Sequence, residues 1–153
     1  HWQLVLAGRE DYFYKKLKAF ISRAVPEAAI RRDIILTGQV SDKNLDGLYR
    51  GAKLFIFPSL YEGFGLPPLE ALACGVPVIA SHTSSLPEVL GDAAMYVDPY
   101  NSRDICEALR GILGSSMLEQ QLVSKGLERA KRFTWQKTAR ETMDVFRQCI
   151  QDR

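Results

Sequence analysis

Short apolar runs alternate with longer stretches in which apolar residues recur every three to four positions, the rhythm of strands alternating with helices. Leu4 to Ala7 predicts a first strand. Tyr12 to Ala24 predicts an amphipathic helix, with Phe13, Leu17, Phe20 and Ile21 at helical spacing. Pro26 to Arg32 reads as a linker. Ile34-Ile35-Leu36-Thr37 reads as a second strand, ended by Gly38. Ser41 is placed to cap a helix over Lys43 to Arg50, with Leu45 and Leu48 inward. Leu54 to Phe57 and Pro77 to Ala80 read as buried strands, Leu86 to Leu90 as a short helical turn, and Ala94 to Val97 as a fifth strand. Three helices complete the pattern. One runs from Arg103 to about Leu113, capped by Asn101 or Ser102; one from Met117 to Lys131; and one, capped by Thr134, through Ile150. The order predicts an α/β fold, a Rossmann-like open parallel sheet with helices on both faces.

Between the third and fourth strands the pattern carries unusual chemistry. Pro67 and Pro68 fit only the first turn of a helix, where missing N–H groups cost little. The helix therefore begins near Leu66 and runs to about Cys74, with Gly75 as its stop. A glycine-rich turn leading into a helix start presents outward N–H groups, and the helix dipole adds roughly half a positive charge. The donors left by the prolines are chiefly Gly63, Phe64, Gly65 and Leu66, and the two glycines permit close backbone approach. Such a turn suits a phosphate or a sugar hydroxyl. Glu70 stands among Leu66, Leu69, Ala71, Leu72, Ala73 and Cys74, surroundings that make a carboxylate costly to bury unless it is paired or hydrogen-bonded. Two vicinal ribose hydroxyls would satisfy both of its oxygens. Glu62, on the turn, can approach a different part of the same ligand.

Composition narrows the picture. The 153 residues suffice for one domain with a core, residues 1–153. With 46% hydrophobic and 25% charged residues they match an ordinary soluble globular chain. A formal net charge of +2 argues against nucleic acid as the main partner. No apolar run is long enough for a membrane span, and no signal peptide is present. Cys74, Cys106 and Cys149 form no metal-ligand pattern and read as reduced cytosolic thiols. Strand-like residues begin at once after His1, as in a piece of a longer protein.

The string from Glu62 through Glu70, E-G-F-G-L-P-P-L-E, resembles the signature of group 1 (family four) retaining glycosyltransferases of the GT-B fold. Ala71 to Ser81, Ser84 to Val89 and Gly91 to Pro99 continue that resemblance, which covers nearly the whole chain. It implies the C-terminal, donor-binding half of such an enzyme. Glu70 would hold the ribose diol. Glu62, the candidate catalytic residue, would hold the donor sugar and distal phosphate with Gly63, Phe64, Gly65 and Leu66. Gln39 and Val40, after the second strand, would border the base. The L-P-P-L-E variant looks similar to mannosyltransferases and so favours GDP-mannose. The resemblance also implies no metal and no other cofactor. It places a diphosphate-neutralising lysine and arginine, and the acceptor-binding N-terminal domain, before His1. It points to a cytoplasmic location, with peripheral contact at the inner face of a membrane through that other half left open.

The remaining candidates read more plainly. Arg9 reads as solvated, because no glycine-rich cradle follows Gly8. His82 reads as a loop residue first and a ligand contact second. Glu88 reads as a capping-box acid toward Ser85 or its neighbour. Asp98-Pro99 is a turn signal. Two other functions stay open. A sugar-nucleotide epimerase of the same architecture would differ in its products. A non-catalytic nucleotide-binding module would bind without any transfer.

Overall fold

The computed structural model describes residues 1–151. Its elements alternate as the pattern predicts: β1 (Leu4–Ala7), α1 (Tyr12–Ala24), α2 (Ala28–Arg31), β2 (Ile34–Gly38), α3 (Asp42–Gly51), β3 (Phe55–Phe57), α4 (Leu66–Ala73), β4 (Val78–Ser81), α5 (Leu86–Leu90), a 3-10 turn (Gly91–Ala93), β5 (Ala94–Val97), α6 (Ser102–Gly114), α7 (Ser116–Ala130) and α8 (Trp135–Gln151). The segment read as a linker after Pro26 holds one turn of helix, α2. It closes through bonds from Arg31 N–H to the Glu27 carbonyl and from Arg32 N–H to that of Ala28.

The chain forms two compact units, His1–Gly47 and Leu48–Arg153. In the first, β1 and β2 pair in parallel, Leu4 opposite Ile34 and Leu6 opposite Leu36. Asp11 caps α1 through the Tyr14 N–H at 3.0 Å. In the second, β3, β4 and β5 form a parallel sheet with β4 in the middle, Val78 opposite both Phe55 and Ala94.

The core lies in the second unit. All four residues of β4 are buried. Successive strand side chains point to opposite faces, so this strand is covered on both. Ile79 joins Val97, Ala108, Ile112 and Leu122 in one buried cluster that ties β4 and β5 to α6 and α7. Helix α4 packs on β3, β4 and α7, and buries Pro68, Leu69, Ala71 and Leu72. At its end Gly75 takes φ +74°; its N–H bonds to the Leu72 carbonyl and that of Val76 to the Ala71 carbonyl. Those two bonds are a Schellman stop, and glycine supplies its left-handed residue. The stop releases the chain into β4 and fixes α4 against the carboxyl end of β3, where the candidate turn emerges.

Candidate nucleotide-sugar site

The turn from Glu62 to Leu66 connects β3 to α4 and is tied down by a serine- and threonine-rich segment that follows β4. Ser84 Oγ accepts from the Glu62 N–H at 3.0 Å. Ser85 Oγ lies 3.0 Å from the carbonyls of both Glu62 and Phe64 and can donate to either. Below them, buried Ser81 donates to the Ser59 carbonyl, and Thr83 Oγ1 lies 3.2 Å from the carbonyls of Ser59 and Leu60. The backbone of the turn is thus held from one side by side-chain hydroxyls.

Those ties leave the outward N–H groups of the turn alone. Among the described residues, the N–H groups of Gly63, Phe64, Gly65 and Leu66 donate to no protein acceptor. Prolines at 67 and 68 contribute no N–H, and the first helical donor with a partner is Leu69, to the Gly65 carbonyl at 3.4 Å. Gly65 sits at φ +98°, and a Cβ there would meet Leu86 Cδ2 at 2.6 Å. Glycine is required at this position both for its conformation and for space. Gly63 has open space around it and no positive φ, so the conformational demand foreseen for both glycines falls on Gly65 alone.

Glu62 is half-buried, and its Oε1 accepts from Ser59 Oγ at 2.8 Å. Glu70 corrects an expectation. Its apolar neighbours in sequence suggested a buried carboxylate, yet its side chain is exposed. The helix turns Leu69, Ala71 and Leu72 inward and leaves position 70 on the outer face. Its Oε2 accepts from the hydroxyl of Tyr49 at 3.0 Å. Tyr49, on α3, is only 7% exposed and stacks edge-on against Phe55. Burial first, and then the Glu70 carboxylate that takes its hydrogen bond, push the Tyr49 phenol well above its ordinary pKa. It remains a neutral donor that fixes one oxygen of Glu70. A carboxylate oxygen has a second lone pair, so this bond leaves Glu70 able to accept from a ligand.

The sequence reading missed Tyr49 and named Leu45 and Leu48 for the inner face of α3. The signal was present: Tyr49 follows Leu45 by four residues and so shares its face.

The other candidates fall as follows. His82 is exposed, and its Nδ1 lies 3.0 Å from the Val97 carbonyl. A carbonyl only accepts, so Nδ1 is the donor in this contact. Glu88 forms no capping box. Ser85 has helical backbone angles, φ −77° and ψ −15°, and its hydroxyl turns back to the Glu62–Phe64 turn, so it makes no side-chain cap. Asp98 accepts from the Tyr100 N–H at 2.9 Å, as a turn residue does. Arg9 is exposed. Gln39 and Val40 follow β2 in the first unit, Gln39 exposed and Val40 half-buried. No helix among the described residues is long and apolar enough to cross a membrane.

The family model for glycosyl transferases group 1 matches residues 1–129. O-antigen chain mannosyltransferase B of Escherichia coli is 36% identical over 146 residues, 95% of this chain and 37% of that protein. Sucrose-phosphate synthase from Thermosynechococcus elongatus has a TM-score of 0.84 at 29% identity, covering 99% of this chain and 39% of that one. The C-terminal domain of a glycosyl transferase group 1 family protein from Francisella tularensis has a TM-score of 0.75 at 28% identity, covering 86% of this chain and 69% of that one. The chain therefore spans little more than a third of the length of the mannosyltransferase it matches. Its parallel sheets and flanking helices are a Rossmann-like half of the GT-B fold. With the family model extending from β1 to the last turn of α7, and the E-G-F-G-L-P-P-L-E turn at the carboxyl end of β3, the chain belongs to the group 1 glycosyltransferases.

Proposed function

We propose that this chain binds the donor of a retaining sugar transfer, a nucleotide-diphosphate sugar, with GDP-mannose favoured. One observation carries the reading: four backbone N–H groups at Gly63 to Leu66 have no protein acceptor among the described residues and stand at the start of the helix that bears Glu70. Unpaired N–H groups at a helix start attract an oxyanion, and the helix dipole adds to that attraction. Glu70, with one oxygen held by Tyr49, takes the ribose diol. Glu62 and the turn N–H groups take the distal phosphate and the donor sugar. In the first unit, the same reading assigns Gln39 and Val40 to the base. Mannose is favoured by the L-P-P-L-E string and by the name of the E. coli relative.

In transfer, the bond from the anomeric carbon to the diphosphate breaks, the acceptor hydroxyl oxygen takes its place on the same face, and the hydroxyl proton passes to the departing phosphate oxygen. Charge develops on the leaving diphosphate, and N–H donors fixed in advance stabilise it without reorganising. Glu62 is positioned to support the sugar as positive charge grows on its ring. The acceptor comes from another part of the full protein. Backbone N–H groups need no metal bridge to an anion, so donor binding is expected to be metal-independent.

Calorimetric titration of the chain with GDP-mannose, GDP, UDP-glucose and UDP, each with and without EDTA, tests this reading. We expect dissociation constants on the order of 0.1–1 mM, tightest for the guanosine compounds and unchanged by EDTA. Glu70→Gln should weaken binding by about 1–3 kcal/mol, the range for a hydrogen bond to a charged group. A strict Mg²⁺ requirement, or unchanged affinity in a folded Glu70→Gln protein, would contradict it.

A further inference from the structure

The donor turn is held on a second side, by residues that the family signature does not contain. Phe64, inside the turn, meets Phe133 edge to face, with ring centroids 5.8 Å apart and planes at 83°. Phe133 lies between α7 and α8, and its N–H bonds to the Ala130 carbonyl. The guanidinium of Arg129 lies over the Phe133 ring, 5.4 Å from its centroid. The same guanidinium donates through Nε to the Val89 carbonyl at 2.8 Å, and through a terminal nitrogen to the Glu88 carbonyl. Those carbonyls are in the last turn of α5, where the ladder leaves them without helical partners. The first turn of α5 is in turn anchored to the donor turn, because Ser85 bonds Glu62 and Phe64 and Leu86 abuts Gly65.

The contacts close a ring. It runs from the donor turn through Ser85 and α5 to Arg129, then to Phe133, and back to Phe64. Ser84 and Ser85 fix the backbone of the turn, and Phe133 fixes its aromatic side chain. Phe64 is 42% exposed even with Phe133 against it, so the edge-to-face contact is what holds the ring; without it the side chain, on a turn flanked by two glycines, is free to rotate and to draw the Gly63–Gly65 amides with it. Arg129 matters because it sets Phe133: one planar group reaches the two α5 carbonyls and lies against the ring at once, and a lysine cannot do all three.

We propose that Phe133 and Arg129 are positioning residues of the donor turn, holding Phe64 so that the N–H groups of Gly63 to Leu66 converge on the distal phosphate and sugar. This inference rests on the donor-binding reading above. It predicts selectivity. A nucleoside monophosphate keeps its ribose and base but does not reach the turn, so it is blind to Phe133.

The test compares GDP-mannose and UDP-glucose with GMP and UMP, titrated by NMR into the wild-type chain and into Phe133→Leu, Phe133→Tyr, Arg129→Lys and Glu70→Gln. Phe133→Leu keeps the apolar bulk and loses the aromatic edge. It should weaken the better-bound nucleotide sugar about 3- to 10-fold, as the loss of an edge-to-face pair implies, and change its monophosphate less than 2-fold. Phe133→Tyr should restore wild-type affinity, and Arg129→Lys should reproduce part of the loss with the same selectivity. Equal weakening of nucleotide sugar and monophosphate by Phe133→Leu, or no weakening of either, overturns the inference. If Glu70→Gln weakens binding while Phe133→Leu does not, the positioning role alone fails. If no nucleotide binds, or Glu70→Gln has no effect, the donor-binding reading fails and takes this inference with it.

Discussion

The hydrogen bond between Tyr49 and Glu70 joins fold stability to the proposed binding role of Glu70. The phenol is buried and its pKa is raised by that burial and by the carboxylate it faces. A folded-state pKa above the unfolded value of about 10 means that the folded state holds the proton more tightly. The stability this contributes is complete below pH 10 and is lost as pH rises above it. Tyr49→Phe should cost about 1 kcal/mol near pH 7, the net value of one hydrogen bond. Between pH 10 and 11.5 the gap between mutant and wild type should close, because only the wild type has this phenol to ionise. Chemical denaturation at the two pH values checks it, and a gap that widens with pH contradicts the assignment. Freed from Tyr49, Glu70 loses its fixed orientation, so the same variant should also bind nucleotide more weakly than wild type.

At the scale of elements, most of the pattern is legible in the sequence. Strands β1 and β5 and helices α1 and α5 run as read, and the other long elements differ by a residue or two at their ends. Apolar period and end signals carry that information locally: two prolines open α4, Gly75 closes it, and Asn101 caps α6 with bonds to the N–H groups of Arg103 and Asp104. What the sequence concealed was orientation across elements. Whether Glu70 faced in or out depended on which side of α4 met β3 and β4. The partner of Ser85 lay not three residues ahead but on the turn some twenty residues back. Both are tertiary choices that a local rule cannot express. The shape of the Gly63–Leu66 turn was readable because its demands are local: a left-handed glycine and prolines at a helix start.

The same scale gives a contrast between two glycines. Gly126 is buried where α7 crosses α4, and a Cβ there would stand 2.8 Å from Leu72 Cδ2. Leu72 is fully buried and has little room to yield. Gly126→Val should destabilise by about 1–3 kcal/mol through overpacking. Gly111, within α6, has nothing within 4 Å of its would-be Cβ. Gly111→Ala should stabilise by about 0.5–1 kcal/mol through helix propensity. Thermal melts of the two variants against wild type should move in opposite directions, and a shared direction would refute the packing of α4 on α7 described here.

At the scale of the whole molecule, binding and chemistry are expected to separate. Among the described residues, the largest fully buried side chains lie between Pro68 and Ile112, in the unit that also carries the Gly63–Leu66 turn. The chain spans 37% of the length of the E. coli mannosyltransferase. Transfer needs donor and acceptor held in near-attack geometry, which accounts for several kcal/mol of a barrier, and closure that keeps water from the donor. The chain alone is therefore expected to release no nucleoside diphosphate above background from GDP-mannose with a mixed acceptor pool. Sustained release that disappears in Glu62→Ala would show that these residues suffice for catalysis.

The central claim is that the amides of one turn receive the diphosphate and sugar. It is tested most directly by recording ¹H–¹⁵N correlation spectra of the labelled chain during titration with GDP-mannose in EDTA. The account predicts saturable shifts of the Gly63, Phe64, Gly65 and Leu66 amides with one common midpoint, larger than those caused by GMP at equal occupancy. Binding that shifts other amides and leaves these four in place would contradict it.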